Sequence, residues 1–429
     1  MYIQPTKKLY GEITVPGDKS ISHRAVMIGA ISNGTTVIEN FLHAADPIST
    51  LNCINALGIQ THFEKNILYI EGNGLYGLQE PPHNLDAGNS GTTIRLLTGI
   101  LSGQKFSTII SGDESLNRRP MKRIIEPLTM MGAKIQSAEK STENFTAPLT
   151  ISPTEKLTAI TYQLPIASAQ VKSAIIFAAL YAEDKTQIIE KIPSRNHTEQ
   201  MLGLDVRIKN QEKIITVVGK QESTAQQFFI PGDISSAAFF IVAALIIPNS
   251  EICIRNVGLN STRTAFLEIL KKMGGNIIIE NERIIGGENV GDVIVKYSSL
   301  KTNIIIEKEI IPNIIDEIPI PAVASVFSQG TFEVRNAQDL RNKESDRIHA
   351  LCENLRKMGI ECEEFDDGFI IEGKENLHSA TFESYGDHRI AMAFAVAALN
   401  LPKESIIKDA ECINVSYPQF WETLKILKR

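Results

Sequence analysis

One segment of this chain occurs twice. VPGDKSISHRAVMIGAISNG begins at Val15 and IPGDISSAAFFIVAALIIPNS begins at Ile230, an offset of 215 in a chain of 429 residues. Two related halves are the direct reading. A finer period lies beneath. Five times an apolar-periodic segment ends in Leu-Gly or Met-Gly and runs into an extended stretch, at Gly58, Gly132, Gly203, Gly274 and Gly359. Each reads as a helix closed by glycine and followed by a two-strand ribbon, as in IQTHFEKNILYIEG after Gly58. Continuing the period makes PQFWETLKILKR the sixth such helix, with its ribbon supplied by residues 1–15.

A second helix recurs once per unit. It is nearly all apolar and opens on small or polar residues, near Ser20, Ser90, Ser168, Ser235, Glu317 and His388. A helix apolar on every side is buried within a layer. The expected fold is therefore α/β, with two inside-out, barrel-like domains of three βα-rich units each, helices inside and sheets outside. An open solenoid is the alternative for any repeat of this length, and the half-chain duplication favours two closed domains. The duplicated Pro-Gly-Asp segments set the expected boundaries at 18–233 for one domain and 1–17 plus 234–429 for the other. The chain then crosses between them near 17–20 and 231–234, and paired crossings are natural hinges for closure on a ligand.

With 43% hydrophobic and 22% charged residues, the chain has material for large cores, which excludes a disordered or disulfide-scaffold protein. A net charge of −7 argues against nucleic acid or anionic lipid as a partner, though not against small anions met by locally gathered cations. The five cysteines form no CxxC pair and the eight histidines no HExxH cluster, so no metal site is expected. The opening MYIQPTKKLYGEITVPG has no continuous apolar core, so no signal peptide is expected. The run AAFFIVAALIIP (237–248) falls short of the roughly 20 residues that span a bilayer. A cytoplasmic monomer is the expectation.

The helix openings carry the chemistry: Gly17-Asp18-Lys19-Ser20-Ile21-Ser22-His23-Arg24, Gly88-Asn89-Ser90-Gly91-Thr92-Thr93-Ile94-Arg95, Ser168-Ala169-Gln170, Asp316-Glu317, and Gly386-Asp387-His388-Arg389. Small residues at a helix start leave backbone N–H groups for an anion, and Lys19, Arg24, Arg95 and Arg389 add full charges there. Each piece has a plainer reading. Asn89–Thr92 fits a capped helix start; Arg118–Arg123 fits a solvated charge run; Lys343–Arg347 fits ion pairing along a helix face. Asp387-His388-Arg389 ahead of a wholly apolar helix fits function better, because charge is rarely set against a buried helix without a partner.

Taken in order, VPGDKSISHRA (15–25), AGNSGTTIRLL (87–97), GDESLNRRPM (112–121), ASAQVKSA (167–174), SRNHTE (194–199), PNIIDEIPI (312–320), NKESDR (342–347) and YGDHRIAM (385–392) make the chain resemble the 5-enolpyruvylshikimate-3-phosphate (EPSP) synthase family from end to end. The resemblance implies two inside-out domains of six units and transfer of the enolpyruvyl group of phosphoenolpyruvate to the 5-hydroxyl of shikimate 3-phosphate, a step of the shikimate pathway toward aromatic amino acids. It implies no metal or organic cofactor, and glyphosate as an occupant of the phosphoenolpyruvate site. For shikimate 3-phosphate it points to Lys19, Ser20, Arg24, Ser168, Ala169, Gln170, Ser194, Arg195, Asp316 and Lys343. For phosphoenolpyruvate it points to Lys19, Asn89, Gly91, Arg119, Gln170, Arg347 and Arg389. Catalytic roles fall to Lys19, Asp316, Glu344 and His388.

Each assignment has a physical reading. A guanidinium fork such as Arg24 suits a planar carboxylate, and a glycine at position 91 lets a ligand approach the backbone. Two departures stand out. Ala169 replaces a serine found in some members, which shifts phosphate contacts toward Arg195. The stretch Cys412-Ile413-Asn414-Val415 before Ser416-Tyr417-Pro418 has no lysine where some members carry one, so either one cation on phosphoenolpyruvate is missing or Lys408 replaces it. A sister enzyme acting on UDP-N-acetylglucosamine is the nearer rival, but many of its members use a cysteine where this chain has none between Cys53 and Cys253. A silent anion-binding scaffold is the other; retention of Lys19, Asp316 and Glu344 together argues against it.

Overall fold

The recurring glycines end helices by one geometry. The computed structural model describes residues 1–137, 145–373 and 376–428. In it the helices Ala45–Ala56, Lys122–Met130, His197–Met201, Ala265–Lys272 and Arg347–Lys357 each stop just before one of the five glycines. The glycine φ values run from +62° at Gly203 to +95° at Gly132, the left-handed region that a Cβ disfavours. Each glycine N–H bonds the carbonyl three residues back, and the next N–H bonds the carbonyl five residues before it, as in Gly132 to Thr129 and Ala133 to Leu128. That pair of bonds satisfies helix-end carbonyls and turns the chain into the ribbon that follows.

The sheets repeat one order. Leu85–Asp86 pairs in parallel with Thr108–Ser111, which pairs antiparallel with Leu149–Ser152, which pairs antiparallel with Lys134–Ser137. The same order recurs in Thr161–Gln163, Lys185–Glu190, Glu212–Val218, Asp205–Lys209, and in Ile304–Ile306, Thr331–Val334, Gly368–Glu372, Cys362–Phe365. In each, the parallel pair is joined through a buried helix, as parallel strands require.

Two sheets take their parallel edge strand from a distant part of the chain. Gln227–Phe229 pairs with Asn33–Glu39, and Tyr10–Thr14 pairs with Glu251–Gly258. The sixth sheet, Thr381–Phe382, Ser405–Ile407 and Tyr2–Ile3, has three strands among the described residues. So the expectation that residues 1–15 complete the sixth ribbon is corrected. Only Tyr2–Ile3 joins that sheet. Tyr10–Thr14 directly precedes a buried helix, the position that supplies a parallel edge strand in every other unit, and it fills that role beside Glu251–Gly258.

The chain divides into two compact units, Gly17–Ile230 and Met1–Pro16 with Pro231–Arg429. Pro231–Asp233 and Gly17 thus fall on the opposite sides from the sequence-based boundaries. Asp233 accepts from the Ser235 N–H as the cap of Ile234–Ile246, and its own N–H bonds the Pro16 carbonyl, so it stays with the helix it caps. Asp18 likewise caps Lys19–Ala30 and keeps Gly17 with the other unit.

Each unit has its own apolar core around three buried helices. They are Lys19–Ala30, Gly91–Leu101 and Ala169–Ala179 in one, and Ile234–Ile246, Pro319–Val326 and His388–Ala398 in the other. In the first unit the residues of these helices that keep some exposure lie near their N-terminal ends: Lys19, Ser20, Thr92, Arg95, Ala169 and Gln170. The packing that buries the helices leaves their N-termini as the accessible polar surface.

Candidate active site

In the unit Gly17–Ile230, three side-chain caps start the three buried helices. Asp18 accepts from the Ile21 N–H, Ser90 from Thr93 and Ser168 from Val171. Two contact chains run across these ends. The first joins Gln170, Arg95 and Thr92: Arg95 Nη1 donates to Gln170 Oε1 at 2.8 Å, and Gln170 Nε2 donates to Thr92 Oγ1 at 3.1 Å. Gly91 lies against it. A Cβ there would sit 2.6 Å from Arg95 Nη1 and 3.5 Å from Arg119 Nη1. Arg119 Nη2 donates to Asn89 Oδ1 at 2.6 Å, so Asn89, Gly91, Arg119 and Gln170 form one group.

The second chain surrounds Arg24, which is only 3% exposed. Its Nε donates to Thr198 Oγ1 at 2.6 Å, its Nη1 to the Ser20 carbonyl at 2.9 Å and its Nη2 to Ser173 Oγ at 2.9 Å. Ser173 in turn donates to the Ala169 carbonyl at 2.6 Å, which ties Arg24 and Ser20 to the start of Ala169–Ala179. Lys19 is paired with Asp46 at 3.0 Å. Ser168 and Arg195 are half-buried. Ser194 is buried, with its hydroxyl and N–H both donating to Glu190 Oε1, a use of the hydroxyl that the sequence did not suggest. His23 is fully enclosed, with Nδ1 2.6 Å from Thr50 Oγ1. Burial, with Lys19 and Arg24 nearby, holds its pKa well below the ordinary histidine value, so the ring is neutral.

In the other unit, one arginine organises the group. Arg347 is 1% exposed and meets three carboxylates: Asp387 through Nε at 2.7 Å, Glu344 through Nη2 at 2.6 Å and Asp316 through Nη1 at 3.2 Å. Burial opposes its charge, but the three carboxylates outweigh burial and hold its pKa above the usual arginine value. Burial would raise Asp387; Arg347 overrides that, and the carboxylate stays below its ordinary range. Lys343 Nζ reaches the same Asp316 oxygen at 3.2 Å. Arg389 Nη1 donates to the Asp316 carbonyl at 2.8 Å and lies 3.4 Å from Glu317. His388, 2% exposed, follows the cap Asp387. Asp316, Lys343, Glu344, Arg347 and Arg389 are therefore linked into one group through Asp316 and Arg347, although Asp316 and Arg389 lie 73 positions apart in the chain.

Some participants carried no local sequence signal. Arg263 is buried, with Nη2 3.9 Å from Glu317 and 3.2 Å from Asp233. Asp46 fixes Lys19 from a helix whose sequence reads as ordinary. Lys408, the candidate substitute cation, is 54% exposed and pairs with Glu383 at 2.8 Å. Among the described residues, no helix is long and apolar enough to cross a membrane, and no group of His, Cys, Asp and Glu is arranged to hold a metal ion.

The chain is similar over nearly its whole length to known proteins. The sequence profile described as EPSP synthase (3-phosphoshikimate 1-carboxyvinyltransferase) covers residues 3–424. A 3-phosphoshikimate 1-carboxyvinyltransferase of Thermoanaerobacter sp. (strain X514) is 52% identical over 432 residues, 100% of each chain. The structure of EPSP synthase from Acinetobacter baumannii superposes with a TM-score of 0.86 at 42% identity, covering 100% of this chain and 98% of that one. The enolpyruvyl transferase NikO from Streptomyces tendae shares the fold, with a TM-score of 0.75 at 13% identity over 99% of this chain and 96% of its own.

Proposed function

The chain belongs to the EPSP synthase (3-phosphoshikimate 1-carboxyvinyltransferase) family, and from that premise we infer how its own residues divide the work. The reaction is transfer of the enolpyruvyl group of phosphoenolpyruvate to the 5-hydroxyl of shikimate 3-phosphate, with release of phosphate. The hydroxyl oxygen adds to C2 of phosphoenolpyruvate while C3 takes up a proton, which gives a tetrahedral ketal phosphate. The C2–O bond to phosphate then breaks as C3 loses a proton, and the enol ether forms. This chemistry calls for a base at the hydroxyl, an acid at C3 and cations for the departing phosphate.

Shikimate 3-phosphate is held at its phosphate by Ser168, the Ala169 N–H, Arg195 and Lys343, and at its carboxylate by Ser20 and Arg24, with Gln170 against the ring. Ser194, whose hydroxyl Glu190 accepts, acts on the phosphate by setting the loop that carries Arg195. Phosphoenolpyruvate is held by Lys19, Asn89, Gly91, Arg119, Gln170, Arg347 and Arg389. Asp316 takes the hydroxyl proton, Glu344 delivers and removes the C3 proton, Lys19 neutralises developing charge and exchanges protons, and His388 assists at the leaving phosphate. The observation that carries this division is the Asp316 carboxylate held 3.2 Å from both Lys343 and Arg347, contacts that fix its orientation as a base. On this reading the chain acts as a cytoplasmic monomer whose partners are its two anionic substrates. Asp316→Asn tests it: kcat is expected to fall by roughly 10²–10⁴ with either KM within a few-fold. A kcat within threefold of wild type would remove Asp316 from the role.

A further inference from the structure

Beneath the Ser194–Arg195 loop lies a charged cluster that none of these roles uses. Lys172 sits on the helix Ala169–Ala179 with a side chain of 0% exposure. Its ammonium lies 2.9 Å from Glu190 Oε2, 2.8 Å from Glu199 Oε1 and 3.3 Å from the Ser194 carbonyl. Lys213, the cross-strand neighbour of Glu190, lies 2.8 Å from Glu199 and 3.6 Å from Glu190. Two lysines thus face two glutamates in a balanced, enclosed group. Burial would raise the Glu199 pKa; the two lysines outweigh it and keep the carboxylate ionised.

Stability alone does not account for such a group, since an apolar replacement of equal volume is often as stable. What the cluster does is hold two separate receptors. Through Glu190 and the direct contact to its carbonyl, Lys172 grips Ser194 at its N–H, hydroxyl and C=O, which fixes the residue preceding Arg195. Through Glu199 it anchors the short helix His197–Met201, whose Thr198 accepts from Arg24 Nε and shares a 2.6 Å hydrogen bond with Ser173. Lys172 and Ser173 are adjacent, so one turn of one helix ties the Arg195 loop to the Arg24 guanidinium.

We propose that Lys172, acting through Glu190 and Glu199, is a positioning residue for shikimate 3-phosphate: it sets the spacing between the receptor for the phosphate, at Arg195, and the receptor for the carboxylate, at Arg24. The proposal rests on the substrate reading given above. It touches neither substrate, and it predicts an effect confined to one of them.

The test uses the full chain with Lys172→Met. KM for shikimate 3-phosphate is expected to rise at least tenfold, with KM for phosphoenolpyruvate within threefold of wild type. The double variant Lys172→Met/Glu199→Gln restores charge balance. It is expected to recover the thermal midpoint while the shikimate 3-phosphate KM stays raised; recovery of both together would show a merely structural role and overturn the proposal. If Lys172→Met does not fold, the double variant carries the test. Thr198→Val keeps every charge, removes the hydroxyl that Arg24 and Ser173 share, and is expected to raise the same KM by about threefold or more; no change there would also count against the proposal. Arg195→Ala separates the two layers. If it leaves the shikimate 3-phosphate KM unchanged, the substrate reading fails. If it raises that KM and the double variant does not, the reading stands and the positioning role fails.

Discussion

Removing the cation at the centre of the acidic group should destabilise one unit in a pH-dependent way. In Arg347→Met, Asp316 keeps Lys343 at 3.2 Å, and Glu344 keeps a side chain 19% exposed to water. Asp387, with 0% exposure, keeps the Ser345 hydroxyl at 3.2 Å, the Arg389 N–H at 2.9 Å and the nearby His388. Leaving one partner of a buried pair uncompensated costs about 3–5 kcal/mol, and the two surviving hydrogen bonds place the expected loss at the low end, about 3 kcal/mol at pH 8. The sign with pH follows from Asp387. In the wild type its pKa is lowered, so its contribution is fully present above the ordinary carboxylate value and is lost only as pH falls through the lower folded value. In the variant, burial and the Glu344 charge, opposed by the nearby His388, raise that pKa instead. The folded state then binds a proton more tightly than the unfolded one, and the deficit shrinks on acidification, by about 1.4 kcal/mol per pH unit below the raised pKa. Urea unfolding at pH 5 and pH 8, followed by tryptophan emission, measures this. Trp421 is the chain's one tryptophan and packs on Phe420, 5.0 Å between ring centroids, within the same unit. A deficit under about 1 kcal/mol, or one equal at both pH values, would refute the electrostatic reasoning.

Two further substitutions separate site geometry from backbone geometry. Gly91→Ala places a Cβ 2.6 Å from Arg95 Nη1, so the guanidinium must swing away and release Gln170; a rise of about tenfold or more in phosphoenolpyruvate KM, with weaker inhibition by glyphosate and stability within ~1 kcal/mol, is the expected kinetic and thermal outcome. Gly203→Ala meets no atom within 4 Å but forces an alanine to φ +62°, so a loss of about 1–2 kcal/mol, read from urea unfolding by circular dichroism, is expected with kinetic constants unchanged.

The parts of this fold that were legible in the sequence are those governed by local rules. A glycine that closes a helix at positive φ leaves a mark at one position, and five such marks gave the period before any pairing was known. A wholly apolar helix announces burial by composition alone. Strand exchange at the two chain crossings was not legible, because Tyr10–Thr14 pairs with a strand some 240 residues away and nothing in its own sequence names the partner. The same holds for charge. Asp316, the 342–347 segment and Arg389 were found as separate motifs, but their meeting around Asp316 and Arg347 is a tertiary fact. Lys172 shows the limit most clearly. A single lysine inside AQVKSAIIFAA names no partner by itself, and its surroundings come from Glu190 and Glu199, 18 and 27 residues on. Ser194 reads as a free hydroxyl donor until Glu190 is seen to accept from it.

The account is tested most directly by inorganic phosphate release from phosphoenolpyruvate by the wild-type chain, with the organic product quantified alongside. It predicts release only when shikimate 3-phosphate is present, one phosphate for each enol ether formed. Release from phosphoenolpyruvate alone, or release supported by UDP-N-acetylglucosamine in place of shikimate 3-phosphate, would contradict it.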